Sequence, residues 1–209
     1  MTTSRSRLGR PVDADGDLTR TRVLAASRTA FAEVGYAATT YRLLAERTGL
    51  APSALYNYFS SKAELYAAVH QEVQLETYAE WILPAISETE TFAARLDALL
   101  ASFAAMNAKA PEAARFQAAA RIDTARHPEL ESVRNRLPTQ RRTLFADMVD
   151  LGIETGELDA TDREAVLAML ETLTVGLVEI CAEPDQHRTA VDAFRRLLGS
   201  VLDSDWGQR

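Results

Sequence analysis

The chain has 209 residues, 47% of them apolar and 25% charged, with a formal net charge of −7. That length holds one or two domains, and about 70% of its surface can be buried, so the core needs no staples. A single cysteine, Cys181, excludes an internal disulfide framework and a cysteine-based zinc site, and no apolar run nears the roughly 18 residues of a membrane span. Residues 1–17 show no apolar period and read as a flexible arm, in which Arg5, Arg7 and Arg10 precede Asp13, Asp15 and Asp17. The arm lacks the apolar stretch of a secretory signal, so the cytoplasm is the expected compartment. From Thr19, a candidate cap, Val23, Ala26, Ala30, Phe31 and Val34 recur at helical spacing, and Gly35 can take the positive φ that ends a helix. Short helices follow over 40–48 and 52–59, punctuated by Gly49 and Pro52. Ser61 and Glu64 have the spacing of a capping box that opens a longer helix, which Pro84 is expected to stop.

Further along, Ser87 and Glu90 form a second candidate box ahead of Phe92, Leu96, Leu99, Leu100 and Phe103. Pro111 and His127-Pro128 bracket a segment carrying Phe116 and Ile122. Leu137-Pro138 interrupts or begins another, which runs to Gly156. Thr161 and Glu164 form a third box, followed by wide apolar stripes from Val166 to Cys181 and from Ala190 to Leu202. Nothing alternates as a strand would. The expectation is an all-α chain of about nine helices.

Charge is placed unevenly. Residues 1–62 carry nine Lys/Arg and five Asp/Glu, whereas the remainder carries fourteen against twenty-five. A basic head on an acidic body suits a polyanion met by the head alone.

Within that head, the segment 40–59 has the make-up of a helix-turn-helix. Ala45 is small enough for a close crossing, Gly49 tolerates positive φ, and Leu44, Leu50 and Leu55 supply apolar anchors. Pro52 suits the first position of the second helix, although Ala51 is a poor cap. Ser53, Tyr56 and Asn57 offer hydroxyl and amide groups suited to base edges or phosphates. Thr40 sits where free amides favour a phosphate, Arg42 can reach the backbone, and Lys62 places a cation in a first turn, which makes sense beside a phosphate. The arginines of the arm can enter an adjacent minor groove, with a solvated tail as the stronger reading. His70, His127 and His187 lack metal-ligand spacing, so no metal or cofactor is expected. No phosphate loop or nucleophile elbow appears, so no enzyme is expected either.

Ala30-Phe31, Gly35-Tyr36, Thr39-Thr40, Arg42, Leu44-Ala45-Glu46, Gly49-Leu50, Leu55-Tyr56-Asn57-Tyr58-Phe59, Ser61-Lys62 and Glu64-Leu65 occur in an order and spacing that resemble the DNA-binding domain of the tetracycline-repressor (TetR/AcrR) family of bacterial transcription regulators. Tyr41 departs from the smaller residue usual there, and Ala54 offers little to a base edge. The resemblance implies DNA contact for Thr40, Arg42, Ser53, Tyr56, Asn57, Tyr58 and Lys62. It also implies a three-helix helix-turn-helix domain over 18–65 and a helical ligand-binding and dimerisation domain over 66–209. The last two helices would form a homodimer interface. An unidentified small-molecule effector would sit in a pocket to which Trp81, Phe92, Phe103, Met106, Phe116, Phe145 and Met148 are the candidate lining residues, with core packing as the competing role of each. The implied function is a ligand-released repressor bound as a homodimer to a near-palindromic operator. A helical sensor acting through a protein partner, without DNA, is the alternative.

Overall fold

A computed structural model of the protein describes residues 12–202, with side chains over 16–134 and 141–199. Ten α-helices make up nearly all of it, one more than expected, and no strand occurs among the described residues. Helix α1 (Val12–Ala38) begins ahead of Thr19, so residues 12–17 are helical rather than part of an arm. Arg5, Arg7 and Arg10 lie outside the described residues. At Gly35 (φ 75°, ψ 173°) the helical path breaks, in a region open essentially to glycine alone, and the chain turns towards α2.

Helices α2 (Tyr41–Thr48) and α3 (Pro52–Tyr58) are joined through Gly49, whose left-handed backbone lets its N–H donate to the Ala45 carbonyl at 2.9 Å. Helix α4 (Lys62–Glu76) opens on Ser61, whose hydroxyl accepts from Glu64 N at 3.1 Å. The Glu64 carboxylate reaches back one residue further than a capping box does, to Ser60 N at 2.8 Å and Ser60 Oγ at 2.6 Å.

Pro84 does not stop this run. A π-helical stretch (Thr77–Ile82) leads from α4 into a short α5 (Leu83–Ile86) that contains Pro84, which accounts for the tenth helix. The wider hydrogen-bonded ring of the π-turn accommodates a residue that lacks an N–H and crowds the preceding turn. Helices α6 (Phe92–Lys109), α7 (Pro111–Arg126), α8 (Glu131–Glu154), α9 (Arg163–Glu179) and α10 (Pro184–Leu202) complete the body. Thr91 rather than Ser87 caps α6, and the Glu157 carboxylate adds bonds to the Phe92 and Ala93 amides at 2.6 and 3.0 Å. Asp159 rather than Thr161 caps the 3-10 turn (Ala160–Asp162) before α9.

Two large apolar clusters and a small one, of Met106, Ala114 and Cys181, hold the described residues together. Val23, Phe31, Leu44, Leu55, Leu65 and Tyr66 fill the first, and Phe116 and Ala120 of α7 belong to it too. Phe92, Leu99, Phe145, Met148, Leu170 and Val191 fill the second, within the body. The Phe116 ring lies 5.3 Å from that of Tyr66 and 6.4 Å from that of Phe31, so the core of α1–α4 closes against α7, with Leu130 and Val133 completing it. Cys181 is buried, donates to the Ala114 carbonyl, and its thiol is pushed up to about 11 by burial.

Candidate nucleic-acid interface

Positions 53, 56 and 57 are three and four apart, so a helix presents them on one face. On α3 all three are exposed, with Tyr56 at 54%, while Leu55 points inward and is fully buried. Ala51 provides no side-chain cap, yet α3 forms with Pro52 as its first residue. Thr40 is exposed and its hydroxyl accepts from Leu43 N at 3.2 Å, which leaves the hydroxyl proton to donate outward. Arg42 is held only by Glu46 one turn on, at 3.4 Å and with both side chains well exposed, a pair too weak to compete with a phosphate.

Tyr58 and Lys62 differ from these. Tyr58 is half-buried and packs on the first apolar cluster. The Lys62 ammonium donates to the Tyr36 carbonyl at 2.7 Å and the Ala37 carbonyl at 3.2 Å, and lies over the Tyr36 ring. Burial pulls it below the usual lysine range. Two of its three N–H groups therefore tie α4 to the end of α1, and one is left for an outside acceptor.

Tyr41 and Arg20, neither singled out from the sequence as a contact, also belong to this face. The Tyr41 ring stacks on Tyr56 at 4.2 Å between centroids, and its hydroxyl donates to the Phe59 carbonyl at 2.8 Å. Tyr41 thus joins α2 to both the face and the end of α3. Arg20 of α1 is exposed and lies over the Phe59 ring, adding a cation beside α3. An arginine one turn into a helical pattern is the only sequence signal for it.

Burial pushes the Tyr41 and Tyr36 phenols up to about 12. A phenol that keeps its proton longer in the folded chain leaves stability intact below pH about 10, and that stability is lost as pH rises towards 12. The urea midpoint is expected to fall across that window, and to fall less steeply in Tyr41→Phe; parallel slopes would contradict the assignment.

A second feature lies in the body. Residues of α4, α6, α7, α8 and α9 enclose a cavity of about 310 Å³. Of the candidate lining residues, Phe103, Met106 and Phe145 line it. Phe92 and Met148 are instead packed inside the second cluster and Phe116 inside the first, while Trp81 packs near Met106 and Cys181. Helical period marks the apolar face of each helix without saying whether a neighbour or a hollow faces it.

Asp123 of α7 connects the two regions. Its buried carboxylate accepts from Tyr36 N at 3.0 Å, at the break after α1, and from the Tyr66 hydroxyl at 3.2 Å. The adjacent Thr124 and Ala125 line the cavity.

Residues 23–69 match the family model described as bacterial regulatory proteins, tetR family. An uncharacterised HTH-type transcriptional regulator of Mycobacterium bovis is 28% identical over 151 residues, which is 72% of this chain and 68% of that protein. Among solved structures, GusR of Salmonella enterica matches with a TM-score of 0.69 and 22% identity, over 95% of this chain and all of that one. A putative transcriptional regulator of Pseudomonas aeruginosa PAO1 matches with a TM-score of 0.74 and 16% identity, over 90% and 92%. At these identities the structural likeness concerns the fold.

Proposed function

We propose that the chain, whose residues 23–69 match the tetR family of bacterial regulatory proteins, is a DNA-binding transcriptional regulator of that kind, a homodimeric repressor released from its operator by a small molecule. The observation that carries this reading is the outward face of α3. Ser53, Tyr56 and Asn57 project from one helix whose opposite side is anchored by Leu55, in the arrangement a major groove reads. Thr40 and Arg42 flank it as phosphate contacts, with the remaining N–H of Lys62 at its edge; Tyr58, half-buried, contributes through its outer edge. The domain division that follows is a reading head over 18–65 and an effector and dimer body over 66–209, acting in the cytoplasm where the DNA is.

Pairing of two chains is supported by α9 and α10. Met169 is 41% and Phe194 38% exposed, and with Ala168, Leu173 and Leu198 they line an apolar groove between these helices. A second copy covering that groove sets two α3 helices on one duplex, about 34 Å apart for successive major grooves. Effector control is supported by α7, which lines the cavity and holds the end of α1 through Asp123. An effector that binds better to a conformer with misplaced heads shifts the population off DNA.

The test is sedimentation of the full chain alongside duplex binding. Wild type is expected to sediment as a dimer, and the double variant Met169→Glu, Phe194→Glu as a monomer with operator affinity reduced about a hundredfold or more. A wild-type monomer that binds its operator with full affinity would contradict the reading.

A further inference from the structure

The cavity has an electrostatic character that its apolar lining obscures. Phe103, Leu144 and Phe145 form much of its wall, and Arg121, Arg134 and Arg141 also line it, with no aspartate or glutamate among the described lining residues. Three guanidinium groups around one hollow are notable in a chain of net charge −7. They are not equivalent. Arg121 pairs with Glu179, and Arg134 with Glu131 at 3.5 Å, all four side chains about half exposed or more, which puts these two at the rim. Arg141 is half-buried, and its Nε is buried with no hydrogen-bond partner among the described residues. A buried guanidinium donor is costly to leave unmet, and a carboxylate or phosphate oxygen is its best acceptor, through a short charge-assisted bond. Gln117, on the same wall, donates its amide nitrogen to Thr77 Oγ1 at 2.9 Å, and its oxygen is not a partner of that Nε.

We propose that the cavity takes an amphipathic anion, its carboxylate or phosphate held by Arg141 and its apolar body lying against Phe103, Leu144 and Phe145. The inference rests on the reading of this cavity as the effector site, and it commits to the effector's charge and shape. A volume of about 310 Å³ holds roughly ten non-hydrogen atoms at about 30 Å³ each. Anionic ligands enter past Arg121 and Arg134, whose exposed partners hold them weakly. Glu179 and Glu131 offset the charge of the two rim arginines, and Arg141 leaves the interior of the hollow positive, so the site selects by sign as well as by size.

Calorimetric titration of the full-length protein with octanoate, octyl phosphate, octan-1-ol and octyltrimethylammonium tests this, each kept below its aggregation threshold. At least one of the two anions is expected to bind about tenfold or more tightly than the alcohol, with the cation weakest. Which anion wins distinguishes carboxylate from phosphate monoester. Arg141→Gln is expected to weaken the anion about tenfold while leaving octan-1-ol unchanged, and Arg141→Lys to restore part of the loss. Tightest binding of the alcohol or the cation, no binding of any probe, or an Arg141→Gln protein that binds the anion as wild type does, would each overturn the proposal. The same probes added to the protein–DNA complex separate this inference from the reading beneath it. An anion that binds through Arg141 but leaves the complex intact keeps the ligand class and removes the effector role. A neutral or cationic compound that occupies the cavity and releases DNA does the reverse.

Discussion

Replacing Tyr56 by alanine is expected to weaken operator binding about ten- to hundredfold while lowering the unfolding midpoint only slightly, through loss of the stack on Tyr41. The ring is 54% exposed and lies outside the apolar clusters, so removing it opens no cavity in the core. It does remove the most exposed aromatic surface of α3, which lies on one face with Ser53 and Asn57. The loss should be sequence-selective, falling on the preferred duplex and sparing random DNA. Arg42→Ala provides the contrast, because its guanidinium is tied only to Glu46 and serves the phosphate backbone. That variant should lose affinity evenly across sequences and reduce the salt slope by about one. Equal losses on all duplexes in both variants would contradict the division of roles. Lys62→Ala is expected to behave differently again. Its ammonium holds the Tyr36 and Ala37 carbonyls, so the variant should lose stability along with affinity.

The second large effect is expected at Asp123. Truncation to alanine strands a buried backbone N–H of Tyr36 and a buried Tyr66 hydroxyl, at about 1–3 kcal/mol for each unsatisfied group. A total near 3 kcal/mol should appear as a large drop in the urea midpoint. Asp123→Asn keeps one acceptor oxygen and should cost less. Because these bonds join α7 to the break at Gly35 and to α4, the asparagine variant should also respond less to effector in a DNA-release assay, at unchanged effector affinity. Two variants of wild-type stability would mean that the carboxylate does not hold this joint.

The reading head was legible in the sequence because its signals are local. Thr40 caps α2 three residues on, Gly49 takes the left-handed turn, and Ser61 caps α4, each within one turn of the residue it serves. The spacing that puts Ser53, Tyr56 and Asn57 on one face is equally local. What escaped depends on partners distant along the chain. Tyr41 is explained by the Phe59 carbonyl 18 residues away, and Asp123 by Tyr36 at a separation of 87. Lys62 looked free from its first-turn position because the carbonyls that hold it come from another helix, 25 and 26 residues earlier. The same limit explains the caps. The boxes at Ser87 and Thr161 have the right spacing, but Thr91 with Glu157, and Asp159, satisfy those helix starts instead. In the body, Phe116 and Phe145 read alike as apolar helical positions. One closes the core of the head, and the other faces the cavity.

The most direct measurement is selection of duplexes from a random library by the purified full-length protein, followed by a salt titration on the enriched sequence. The account predicts enrichment of a near-palindrome with half-sites about one helical turn apart, steep salt dependence, and loss of enrichment when Ser53, Tyr56 and Asn57 are replaced together by alanine. A library that emerges unenriched, or a triple variant that enriches the same sequence as wild type, would contradict it.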